Sequence, residues 1–163
     1  MVKNKLSIKE EIDLYKKFNQ TNIVRIVRQI TRYLNNEISN RLIEKGHTGL
    51  SARHLSVFEN LDFEGTNIVT LARRASMTKQ AMSKLVKEVA AEKYIHVKTD
   101  QRDSRVLVVL FTESGIEFLR DMREEIIRTR ENMLSEGILS NKESNDMTVT
   151  LGKLLSYFQI SSN

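Results

Sequence analysis

At 163 residues the chain is long enough for one domain with a proper core and too short for two. Hydrophobic residues at 40% and charged residues at 29% fit an ordinary folded chain, and the longest apolar run, Val106 to Phe111, falls far short of the roughly 20 residues that span a bilayer. The absence of cysteine excludes disulfides, thiolate metal sites and cysteine nucleophiles; the absence of proline leaves no covalent obstacle in a helix and predicts a mainly α-helical protein. With no apolar leader between Lys3 and Glu11, the expected location is the cytoplasm.

A capping box, Ser7-x-x-Glu10, opens the first predicted helix. Its apolar stripe runs from Ile12 through Ile26, Ile30 and Ile38 to Leu42, loosest around Asn19 to Asn22, and Gly46 offers a left-handed stop. Ser51 predicts an N-cap for a short helix through Leu61, with Leu55, Phe58 and Leu61 inward. A turn around Gly65 leads to a helix over 68–75. Ser76 and Met77 form a tight connection into a second helix, with Thr78 near its N-cap and the body running from Lys79 to about Glu92.

That second helix has two faces. Met82, Leu85, Val86 and Val89 recur at core spacing, while Lys79, Gln80, Ser83, Lys84 and Lys87 occupy the opposite side, which carries hydrogen-bond donors and no acid. The segment from Arg73 to Arg105 holds nine basic and four acidic residues and so carries the whole formal excess of +5. A basic segment of this kind suits a polyanion once a fold presents it. Tyr94 to Lys98 and Val106 to Thr112 then read as two strands around the polar turn Asp100-Gln101-Arg102-Asp103-Ser104-Arg105, a basic-tipped hairpin. Thr112 caps a long helix to about Glu136, striped by Ile116, Leu119, Met122 and Ile126. Ser140-x-x-Glu143 opens a last helix through Phe158. The expected architecture is a winged helix-turn-helix with a two-stranded β-wing over residues 51–112, flanked by long helices in 1–46 and 113–163. Those helices carry more apolar surface than one small lobe covers, so a homodimer is expected.

With these segments in place, the chain resembles the MarR family of transcription regulators over nearly its whole length. The resemblance rests on Asp100-Gln101-Arg102-Asp103-Ser104-Arg105 followed by Leu110-Phe111-Thr112-Glu113-Ser114-Gly115, and on Leu71 through Met82 upstream. It implies a homodimeric, cytoplasmic regulator, typically a repressor, on a palindromic double-stranded DNA operator. Thr78, Lys79, Gln80, Ser83, Lys84 and Lys87 would belong to the recognition helix, with Gln80 and Ser83 reading base edges and the lysines reaching phosphate or guanine. Arg102 would enter the flanking minor groove. Arg105 would join the DNA-binding set and pair with Asp100 to brace the wing. Many family members release DNA on binding a small aromatic effector between lobe and dimer helices; Tyr15, Tyr33, His54 and Phe58 are the candidates for such a crevice, with core packing as their competing use. The family often has glycine where Lys93 stands.

Against an enzyme, His47, His54 and His96 are dispersed without metal-ligand spacing, no glycine-rich phosphate loop appears, and the plentiful carboxylates are expected on solvated faces such as Glu124-Glu125. No cofactor, metal or membrane partner is expected. The alternative to an operator-specific regulator is an architectural DNA-binding protein, or a winged helix used for protein contacts.

Overall fold

The computed structural model describes residues 6–100 and 105–161. The predicted first helix is two helices, α1 (Ile8–Thr21) and α2 (Ile23–Glu44). They part at Asn22, whose extended backbone and side-chain oxygen, accepting from the Arg25 N–H at 3.2 Å, start α2 afresh. The loose stretch of the apolar stripe is thus a true break. The capping box at Ser7 forms as expected. After α2 the chain turns through a single 3₁₀ turn, Ala52–His54, into a short α3 (Leu55–Phe58). This helix stops three residues before the predicted end, although Leu61 is still buried.

A two-residue strand, β1 (Thr66–Asn67), precedes α4 (Ile68–Arg74) and α5 (Lys79–Ala91). Strands β2 (Ile95–Thr99) and β3 (Leu107–Phe111) follow, then α6 (Glu113–Ser135) and α7 (Asn141–Ser161). The expected hairpin is present, but the sheet has three strands rather than two, in the order β1-β3-β2 and all antiparallel. Two residues are too few to show a period, which is why β1 looks like part of a turn in the sequence. Gly65, at φ 97°, brings it against β3; a Cβ there would press on Val108 and Leu110.

The core lies between the end of α2, the helix-turn-helix, the sheet and one face of α6. Met82, Leu85, Val86 and Val89 of α5 are all buried, as their spacing predicts. The centre, however, is Phe118 of α6, fully buried, with its ring 4.2 Å from that of Phe58 and near Tyr94 and His47. The predicted α6 stripe is inward only in part: Met122 is buried and Leu119 packs against the core, but Ile116 and Ile126 are exposed, and Phe118 and Glu125, outside that stripe, are buried. Glu125, expected on a solvated face, is buried instead, and its carboxylate has counterions close by, with Lys45 at 3.3 Å and Arg41 at 3.7 Å.

Four helices end in the same device. At Gly46, Ser76, Lys93 and Gly137 the backbone is left-handed, and the N–H of the following residue returns to a carbonyl five residues back in a Schellman motif. Two of these positions are not glycine. Lys93, at φ 65°, closes α5 with its N–H on the Ala90 carbonyl and Tyr94 N–H on that of Val89. A lysine in this left-handed position is strained. Lys93→Gly should raise unfolding free energy by about 1 kcal/mol, seen as a higher denaturant midpoint with an unchanged slope. Equal or lower stability would show the strain to be relieved elsewhere.

Candidate nucleic-acid interface

Helix α5 presents the basic face. Its first turn is built by Thr78, whose hydroxyl accepts the Ala81 N–H at 3.2 Å, and by the tight turn through Ser76 that docks α4 against α5. With the Met82–Val89 stripe seated in the core, rotation of α5 about its axis is fixed. The opposite side then brings Lys79, Gln80, Ser83, Lys84 and Lys87 together around one shallow concavity, all exposed except the half-buried Ser83. These five are brought together as the sequence predicts.

The one acid of α5, Glu88, does not share that face. It turns toward the 3₁₀ turn, where His54 Nε2 lies 3.0 Å and Arg53 3.3 Å from its carboxylate. The His54 hydrogen bond, helped by the charges of Arg53 and Lys84, keeps the Glu88 carboxyl below the usual carboxylate range. His54 itself is buried; its Nδ1 accepts the Ser51 N–H at 3.0 Å, which leaves Nε2–H to donate to Glu88. A tertiary contact thus holds the Glu88 carboxylate away from the basic face that helical spacing already leaves free of acid.

The second element of the candidate interface is the hairpin. Ile95 pairs with Phe111 and Thr99 with Leu107, and the Asp100 N–H donates to the Val106 carbonyl at 2.8 Å to close the strands at the wing's outer end. Arg105 is exposed just beyond. Arg102, which the family resemblance assigns to the minor groove, lies outside the described residues. At its inner end the wing is lashed to α6. The Thr112 hydroxyl donates to the Lys93 carbonyl at 2.7 Å and accepts the Gly115 N–H at 3.1 Å, while the Thr112 N–H donates to the Tyr94 carbonyl. A Cβ on Gly115 would collide with that same Tyr94 carbonyl oxygen. The Thr-x-x-Gly spacing seen in the sequence is thus the wing's anchor.

The four candidates for an effector crevice are not assembled in this way. Phe58 is spent in the aromatic core and His54 in the Glu88 contact. Tyr15 and Tyr33 are largely exposed on α1 and α2, with Phe18 and the Arg32 guanidinium as their neighbours. Within the single chain two of the four are buried and two exposed.

In three-dimensional comparison the chain superposes on the transcriptional regulator BldR of Sulfolobus solfataricus with a TM-score of 0.66, at 24% identity over 94% of this chain and 99% of that one. A MarR transcriptional regulator from Methanosarcina mazei Go1 matches with a TM-score of 0.71, at 18% identity over 84% and 96%. The fold is the MarR-type winged helix. The S. aureus MepR–DNA complex also matches, with a TM-score of 0.66 at 19% identity over 83% and 97% of the two chains. No protein-family model matches the sequence, and no curated protein matches it. Within this MarR-type fold, α4 and α5 are the helix-turn-helix and β2–β3 the wing. Among the described residues no helix is long and apolar enough to cross a membrane.

Proposed function

We propose that this protein is a sequence-specific regulator of transcription that binds double-stranded DNA as a two-fold homodimer, acting as a repressor on a palindromic operator and not as an enzyme. The observation that carries the reading is the donor-rich, acid-free face of α5, held rigidly outward by a buried stripe on the same helix. Lys84 and Lys87 serve phosphates, Gln80 and Ser83 base edges, and Lys79 either phosphate or guanine at the N-terminal end, where Thr78 caps. Arg102 and Arg105 belong to the wing, Arg102 over the flanking minor groove and Arg105 braced by Asp100. The DNA held by MepR in its solved complex lends this reading its precedent in a like fold.

The dimer is supported by what the single chain leaves uncovered. None of the α1 residues is buried, and Ile12, Tyr15 and Phe18 stand exposed; on α7, Met147, Leu151, Leu154 and Phe158 form a stripe at helical spacing that the chain's own core does not cover. Apolar area of this extent marks an interface.

Selection of bound duplexes from random DNA tests the whole reading. The expected product is an inverted repeat with half-sites centred roughly 10 base pairs apart, one helical turn, so that both α5 helices meet the same face. Gln80→Ala should relax preference at one or two positions by about 1–3 kcal/mol per lost bidentate contact. Recovery of no preferred sequence would favour an architectural binder, and an unchanged consensus with Gln80→Ala would remove its base-reading role.

A further inference from the structure

We infer that His47 is a positioning residue for DNA recognition, clamping the root of the wing to α6 and thereby setting the separation of the two recognition helices in the dimer. The inference rests on the dimeric DNA-binding reading above, and its observations are independent of the α5 surface.

His47 sits where three elements meet. Its backbone N–H donates to the Leu42 carbonyl at the end of α2, its Nε2 lies 2.9 Å from the Asp121 carboxylate on α6, and its Nδ1 lies 2.9 Å from the Tyr94 hydroxyl at the root of β2. An ionised Asp121 accepts only, so Nε2–H donates to it; in the neutral imidazole Nδ1 then accepts the Tyr94 O–H. Asp121 is kept ionised by the His47 hydrogen bond and by Lys45, which reaches it at 3.3 Å. The imidazole also stands edge-on to Phe118, 4.9 Å between ring centres. The ring therefore has one allowed orientation.

Tyr94 is consequently held to α6 at two points. Its carbonyl accepts the Thr112 N–H and abuts Gly115 at the start of the helix; its hydroxyl reaches Asp121 through His47. Gly115 and Asp121 are six residues apart, about 9 Å along the helix axis. One attachment would leave the wing free to pivot about the first turn of α6. Two attachments that far apart define an angle. Continuing from His47 through Ser51, the chain reaches His54, which grips Glu88, so α5 is tied to the same segment. In a dimer built on α6 and its flanking helices, this angle is transmitted to both α5 helices.

The test separates positioning from simple stability. Tyr94→Phe deletes one hydroxyl and keeps the ring packed on Phe58 and Phe118; His47→Gln keeps a donor for Asp121 and gives up the bridge. For each protein, Kd is measured on the preferred inverted repeat and on the same repeat lengthened by one central base pair. The wild type should discriminate sharply, and both variants should lose about five-fold of that ratio, the worth of one hydrogen bond. A uniform weakening on both duplexes, with the ratio intact, would be a structural effect and would overturn the inference. The cysteine-free chain permits a second readout: one spin label at Ala91→Cys, on the exposed end of α5, gives an inter-protomer distance without DNA. Its distribution should broaden with Tyr94→Phe, and an unchanged width overturns the inference. Absence of DNA binding by the wild type would defeat the functional reading while the label distances still judge the clamp, and a monomer would defeat both.

Discussion

Replacing Lys84 and Lys87 together by alanine should weaken binding to every duplex and flatten its dependence on salt. Each phosphate neutralised by a lysine contributes about 0.9 to the slope of log K against log salt, so a dimer that loses four such lysines should show a slope smaller by about 3.6. Both side chains are exposed on the concave face of α5, and neither enters the core contacts made by Leu85 and Val86. Folding stability should therefore change by no more than about 0.5 kcal/mol. The sequence preferred in selection should also be unchanged, because released counterions carry no information about bases. Titrations of operator and unrelated duplex from low to high salt, with wild type and variant, measure this directly. An unchanged slope would take α5 out of the phosphate contacts, whatever the fold.

The second large effect is on folding. Gly115→Ala should destabilise the protein by about 3 kcal/mol, the upper end for overpacking a close contact. The new methyl would meet the Tyr94 carbonyl oxygen, a backbone atom already held by the Thr112 N–H at 3.1 Å, so no side chain can swing aside. Relief requires the wing root to move off the first turn of α6, breaking the Thr112 contact to the Lys93 carbonyl as well. Ser114→Ala, on the exposed neighbour, is the control for helix propensity and should be nearly neutral. Denaturant unfolding followed by circular dichroism reads both, and a Gly115→Ala midpoint equal to wild type would mean that this contact yields easily.

What the amino-acid sequence determined by itself is everything set by near neighbours along the chain. The capping boxes at Ser7 and Ser140, the caps at Thr78 and Thr112 and the left-handed stop at Gly46 depend on residues three to five apart, and all of them form. The opposed faces of α5 follow from helical spacing alone, which is why the candidate interface is legible in the sequence. Spacing does not say which of two apolar faces turns inward, and on α6 it groups the buried Met122 with the exposed Ile116 and Ile126 while passing over Phe118, the residue at the centre. Nor does it show that Asn22 separates two helices, since Asn is tolerated both within a helix and at its start. The strand β1 exists only because β3 lies beside it, with Thr66 opposite Val109. Tertiary structure alone also decided the electrostatics: His47 meets Tyr94 across 47 residues and Asp121 across 74, and His54 meets Glu88 across 34. Such pairs leave no period in the sequence, because the chain between them is free to take any path until the apolar core closes and brings their hydrogen-bonding atoms within reach.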